Sequence, residues 1–100
     1  MFLSDAFLSI VDKDGDGTIL LVRARKSGDI ERMFPEAEVT KEGGTDYLYR
    51  ARLPRDRLAE ILSAKVRAID YSNFKVTVHD DDRHRAYMKA WDAMRSMQGE

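Results

Sequence analysis

Ile19-Leu20-Leu21-Val22-Arg23-Ala24-Arg25, running into Lys26-Ser27-Gly28-Asp29-Ile30-Glu31, is the stretch on which the fold turns. It alternates with period two and then gives way to a helix start, so it reads as a strand entering a helix. Leu20, Val22 and Ala24 point one way, and Ile19, Leu21, Arg23 and Arg25 the other. The first set is assigned to the core, because the arginines belong to water. Ser27 or Gly28 suits the N-cap, and Asp29 and Glu31 in the first turn suit the positive end of the helix dipole. The pattern returns as Tyr47-Leu48-Tyr49-Arg50-Ala51-Arg52-Leu53-Pro54-Arg55-Asp56. Leu21, Arg23, Ala24, Arg25 and Asp29 match Leu48, Arg50, Ala51, Arg52 and Asp56 at one offset. Each copy is a strand with two arginines on one face, followed by a helix start.

Working outward, Phe7 to Val11 is a short β-favouring run that ends at Asp12-Lys13-Asp14-Gly15-Asp16-Gly17, a turn by composition. The helix after Gly28 is short, since Pro35 stops it once Ile30, Met33 and Phe34 have turned inward. Ala37 to Lys41 reads as a third strand and Glu42-Gly43-Gly44-Thr45 as a hairpin loop. In the fourth strand Tyr47, Tyr49 and Ala51 share the core face, while Leu48, Arg50 and Arg52 share the other. Pro54 fits the first turn of the next helix. There Leu58, Ile61, Leu62, Val66 and Ile69 recur with helical spacing, Lys65 being the polar interruption. Residues 72–78 alternate like a strand, but Ser72 and Asn73 also permit a cap and a short helix. A last helix carries the stripe Tyr87, Ala90, Trp91, Met94 and Met97. The expected fold is α+β: a four-stranded antiparallel sheet in a ββαββα pattern, helices on one face, and a C-terminal helix. Strands are expected near 6–12, 18–25, 37–41 and 46–53, and the major helices near 55–69 and 80–97.

A chain of 100 residues fits one domain with a single core. Its 43% hydrophobic content is ordinary for a globular domain, and a net charge of −1 gives no global attraction to nucleic acid or to an anionic membrane. Any electrostatic function must come from segregation of charge. Without cysteine there are no disulfides, no thiolate catalysis and no cysteine zinc site, which fits a reducing compartment. No apolar run approaches the roughly 20 residues that span a bilayer, and Asp5 spoils residues 1–11 as a secretory signal, so a cytoplasmic location is the expectation.

Several segments together resemble a group of small bacterial and phage proteins whose activity is not established. These are Leu21-Val22-Arg23-Ala24-Arg25, Gly28-Asp29-Ile30-Glu31, Phe34-Pro35, Asp46-Tyr47, the block Ile69-Asp70-Tyr71-Ser72-Asn73-Phe74-Lys75, and Ala86-Tyr87 with Trp91. The resemblance implies a bacterial or phage origin, a stand-alone small domain, and a helix beginning at the Asn-Phe-Lys block. It brings no activity, ligand or catalytic residue.

The sharpest local motif is Asp12-x-Asp14-x-Asp16-Gly17-x-Ile19, the first half of an EF-hand loop, where alternate carboxylates converge on calcium and Gly permits the bend. Yet Arg23 stands where a bidentate glutamate is required, and the flanks are strands. An acidic hairpin turn that folds without calcium is therefore preferred, with Asp12, Asp14 and Asp16 only weak metal candidates. His79 and His84 flank Asp80, Asp81 and Asp82 but are wrongly spaced for one helical face; an acidic first turn opposite the helix dipole is preferred to a site. No nucleophile elbow and no phosphate-cradling glycine loop is present. The chain is expected to be no enzyme and to need no cofactor.

Arg23, Arg25, Arg50 and Arg52 are the leading functional candidates. If their strands are neighbours, the guanidinium groups form one basic patch, which Lys26, Arg55 and Arg57 extend. Arginine forks suit carboxylates and phosphates. The alternative is a solvated face with ion pairs to Glu38 or to Asp80–Asp82. A nucleic-acid binder is the runner-up, weakened by the near-zero net charge and by tyrosines assigned to the opposite face. A weak metal-binding or hydrolytic domain comes third. The expected function is a small non-enzymatic module that contacts a macromolecular partner, protein before nucleic acid. Phage or mobile-element inhibitors of the anti-CRISPR type are analogues. Trp91 and Met94 on the last helix are the second contact candidates, for a partner or for a homodimer.

Overall fold

A computed structural model describes residues 1–99. Four antiparallel strands form one sheet: β1 (Leu8–Val11), β2 (Ile19–Ala24), β3 (Thr40–Lys41) and β4 (Tyr49–Pro54), in the order β1-β2-β4-β3. Three α-helices accompany it: α1 (Asp29–Met33), α2 (Arg55–Arg67) and α3 (Asp81–Gln98), with one turn of 3₁₀-helix at Phe74–Thr77. The α+β architecture and the antiparallel sheet are those expected from the sequence.

Register explains the two faces. Val22 lies opposite Ile10 and Ala51, and Ala24 lies opposite Leu8 and Tyr49. Side chains on this face pack with Ile30, Met33 and Phe34 of the α1 segment and with Leu58 of α2 to make the core. The α1 helix ends where Pro35 forbids continuation, after its inward residues have been delivered. Gly28, at φ 91°, is its N-cap, a left-handed backbone that glycine adopts without strain.

The sequence expectations fail in several places, each for a local reason. The third strand, expected over 37–41, shrinks to Thr40–Lys41, because Ala37 and Val39 pack against the core instead of pairing. The fourth begins at Tyr49 rather than near 46, since the Thr45 hydroxyl lies 2.7 Å from the Tyr47 carbonyl and 3.0 Å from that of Glu42, so its one O–H is shared between them and holds the chain in a turn. Pro54 closes β4 and caps α2 rather than sitting inside its first turn; its φ of −60° and ψ of 136° belong to the strand. Helix α2 forms, but its stripe is buried only at its N-terminal end. Leu58 is covered, whereas Val66 is 67% exposed and Ile69 lies open beyond the helix end. The uncertain stretch 72–78 resolves as the 3₁₀ turn, with Asn73 Oδ1 accepting from the Lys75 N–H at 3.0 Å.

Helix α3 is held by side chains rather than by a broad face. Arg83 and Tyr87, one turn apart, are its buried residues. The Tyr87 hydroxyl lies 2.9 Å from the carbonyl oxygens of both Leu3 and Ala6. Around its ring stand Phe2, Phe7, Phe74 and Trp91, with centroids 4.9 to 6.4 Å away. Asp80 caps the helix by accepting from the Arg83 N–H at 2.9 Å. Among the described residues no helix is long and apolar enough to cross a membrane.

Candidate functional site

β2 and β4 are neighbours, and Arg23 lies directly opposite Arg50. Like charges facing one another across a ladder are destabilising unless something compensates them. Each arginine is compensated differently, and that divides the basic face.

Arg50 turns inward over the sheet, with 16% of its side chain exposed; its Nε lies 3.7 Å from Glu42 and 3.5 Å from the Tyr47 carbonyl. Arg52 pairs with Asp14 at 3.0 Å, and this carboxylate holds its pKa above the ordinary arginine value. Arg55 donates to the Gly17 carbonyl at 2.6 Å and lies 3.6 Å from Asp12. Arg57 binds Glu36 at 2.7 Å. Thus Arg50, Arg52 and the proposed extensions Arg55 and Arg57 are neutralised locally. The neutralising acids are Glu42, Asp14, Asp12 and Glu36, not the expected Glu38, and Asp80 pairs with Lys26 at 3.1 Å.

Arg23 and Arg25 are different. Arg23 donates through Nη2 to Ser9 Oγ at 2.6 Å, and its buried Nε has no hydrogen-bond partner. Arg25 donates to the Asp46 carbonyl at 2.8 Å. Neither lies in an ion pair with a carboxylate of the described residues. Both guanidinium groups instead stand over one ring, that of Tyr47, at 4.7 and 4.3 Å from its centroid. Two cations on one aromatic ring form a compact positive site with little counter-charge.

Tyr47 is the residue that strand alternation misplaced. Assigned to the core face with Tyr49, it lies outside β4, in the preceding turn, where the alternation of the strand no longer governs it. Tyr49 does pack on the core, as expected. A second surprise lies under the arginines. Leu21 is only 2% exposed, though it sits on the arginine face and outside the main core cluster. Its neighbours across the ladder are Val11 and Arg52, with Ile19 and Arg23 along its own strand. Arginine stems beside a leucine make an apolar floor beneath a charged surface.

The acidic turn between β1 and β2 uses its carboxylates separately. Asp12 Oδ1 accepts from the Gly15 N–H at 3.0 Å, and Asp14 is held by Arg52. Asp16 Oδ1 accepts from the N–H groups of Ile19 and Thr18, which lower its pKa below the usual carboxylate value. Among the described residues no three potential ligands from His, Asp or Glu gather into a metal-sized cluster. His79 and His84 flank the start of α3, where Asp80 serves as the cap and is lowered in pKa by the Arg83 N–H and then by Lys26.

Sequence reasoning missed the buried ion pair altogether. Asp29, read as a helix-dipole residue, is 1% exposed and takes two hydrogen bonds from the Arg83 guanidinium, at 2.5 and 3.0 Å. It also accepts from Arg32 at 2.9 Å and from the Phe7 N–H at 3.0 Å. Burial opposes the charge on Arg83, but the carboxylate outweighs it and the guanidinium pKa is raised. Of the C-terminal candidates, Trp91 is half-buried against Phe74 and Tyr87, whereas Met94 and Met97 remain exposed. No family model, curated protein or solved structure shows significant similarity to this chain.

Proposed function

We propose that this chain is a non-enzymatic binding module that contacts a protein partner through Arg23, Arg25 and Tyr47. The observation that carries the reading is the pair of guanidinium groups on one tyrosine ring without a carboxylate counter-charge. Neighbouring arginines were given acids; these two were not. Guanidinium forks held by an aromatic ring, exposed at Arg25 and half-buried at Arg23, retain N–H groups for a partner's carboxylates, and the ring limits the rotamer entropy lost on binding. The reading includes a regulatory role of the kind served by phage and mobile-element inhibitors. A homodimer through the exposed Met94–Met97 end of α3 is a subsidiary element of it, testable by sedimentation velocity.

Nucleic acid is the second reading, and one observation favours it: Tyr47 shares the arginine face, so an aromatic ring accompanies the cations. That ring already carries two guanidinium groups, with which a stacking base competes.

The test is capture from bacterial lysate, with and without nuclease, comparing wild type with Arg23→Glu/Arg25→Glu after thermal melts establish that the variant is folded. A protein retained through nuclease treatment and lost in the variant is expected. Recovery of nucleic acid with a steep salt dependence selects the second reading. Interactions unchanged by the double charge reversal overturn both.

A further inference from the structure

Arg25 belongs to two features at once. On one side it stands over Tyr47; on the other it lines a groove of about 330 Å³ between α3 and the N-terminal segment. The groove has aromatic and small apolar walls: Phe2 and Phe7 come from the N-terminal segment, and Ala86, Tyr87 and Ala90 from α3. Phe2 packs edge-on against Tyr87, yet it remains 39% exposed, an unusual state for a phenylalanine in an aromatic cluster. The other charged groups lining the groove are already matched. Asp29 and Arg83 bind each other, Lys26 binds Asp80, and Asp82 binds Arg85. What is left over is the positive charge of Arg25, with Arg23 beside it over the same ring.

We propose that this groove is the anchor subsite of the arginine face, taking one large apolar side chain from an acidic segment of the partner protein. The segment's carboxylates then lie on Arg25 and Arg23. The inference rests on the reading of that face as a protein-contact surface and adds the chemistry of what it contacts. Charge complementarity selects the occupant: an apolar ligand without acids would leave the two arginines unmatched, and a basic one would be repelled. The volume lies at the small end of ligand pockets and suits a single aromatic or long aliphatic side chain rather than a cofactor. Anchors of this kind, a large side chain buried beside arginine, carry most of the energy of an interface.

The experiment is selection of a displayed library of random heptapeptides on the purified protein, followed by fluorescence-polarisation measurement of the enriched peptides. Three variants are compared: Ala86→Trp, which fills the groove from an exposed helix position, Phe2→Ser, which removes one wall, and Arg25→Glu. Circular dichroism confirms that each is folded. Wild type is expected to enrich an aromatic or large aliphatic residue within three positions of two acidic ones. Ala86→Trp and Phe2→Ser are each expected to weaken these peptides at least tenfold, as is Arg25→Glu. Enrichment of acidic residues alone, unaffected by Ala86→Trp and Phe2→Ser but abolished by Arg25→Glu, overturns the groove and leaves the arginine face standing. Peptides insensitive to Arg25→Glu, or no enrichment over a protein-free control, overturn both. So does tight, salt-sensitive binding of a 20-nucleotide single strand without peptide enrichment.

Discussion

Removing either partner of the Asp29–Arg83 pair should destabilise the domain, and the two removals should be unequal. Asp29 is the hub: Oδ1 accepts from Arg32 and Arg83, and Oδ2 accepts from Phe7 N–H and Arg83. In Asp29→Asn one of these oxygens becomes an NH₂ group. Whichever it is, an Arg83 N–H and one further donor then face a donor, and the guanidinium stays buried without its counter-charge. In Arg83→Met the carboxylate keeps Phe7 N–H and Arg32, whose side chain is 45% exposed and can follow it. Breaking a buried pair costs about 3–5 kcal/mol, so Asp29→Asn is placed near ~4 and Arg83→Met near ~3. For a domain of this size 1 kcal/mol moves the midpoint by about 4–8 °C, so even the milder variant should melt more than ~10 °C below wild type. The double variant should be less destabilised than the sum by ~1–3 kcal/mol, since the second change removes a charge the first had orphaned.

Urea titration reads this directly, because Trp91, the single tryptophan, lies on α3 against Tyr87 and Phe74. In the single variants its fluorescence should report loosening of α3 at lower urea than far-UV circular dichroism reports loss of the sheet. Both single variants within about 1 kcal/mol of wild type would refute the reasoning, as would strict additivity in the double.

Tyr87→Phe should cost about 1–2 kcal/mol by depriving the Leu3 and Ala6 carbonyls of their hydroxyl donor, measured by urea midpoint. Burial raises the phenol pKa, so the stabilisation is present at neutral pH and declines above about pH 10, where the unfolded chain ionises first; the Phe variant should lack that part of the alkaline limb. Asp80 has a lowered pKa, so its contribution is present above the unfolded value near pH 4 and is lost as pH falls through the folded one. Asp80→Ala should lower the midpoint at pH 7, and Asp80→Asn should retain more of it while flattening the acid limb, because Asn still caps. Leu21→Ala should cost about 2–4 kcal/mol although it lies on the charged face, whereas Val66→Ser on α2 should stay within about 0.5 kcal/mol, both measured by urea unfolding.

The fold was legible where periodicity and breakers agree. Arg23 on β2 and Arg25 just past its end mark the face opposite Val22 and Ala24, Pro35 ended α1, and the Asp/Gly run before Thr18 turned β1 into β2. It was illegible where an element outruns its neighbours. The stripe Leu58, Ile61, Leu62, Val66, Ile69 is a good helix signal, but periodicity says only that one face is apolar, not that something covers all of it. Thr40–Lys41 is short for the converse reason: Ala37 and Val39 found apolar partners in the core, and burial outweighed two further rungs of edge ladder.

The candidate site was half legible in the same physical sense. Arg23, Arg50 and Arg52 on two neighbouring strands can be assigned to one face by counting, because side-chain direction in a strand is fixed by parity, and Arg25 follows one residue past the end of β2. Their charge state as a group cannot, because it depends on which acids the loops bring back. Asp14 and Glu42 come from two different turns, and they quench Arg52 and Arg50 but not Arg23 and Arg25. Tyr47 lies beyond the strand end, where parity fails, and it ends under the two unquenched guanidinium groups. Asp29 and Arg83 meet across more than fifty residues, with no local signal beyond an acid in a first turn and an arginine in another. Their meeting nonetheless fixes the site, since Arg83 holds the helix that forms one wall of the groove beside Arg25. Variants that break the pair should therefore weaken peptide binding at temperatures where the sheet is still folded.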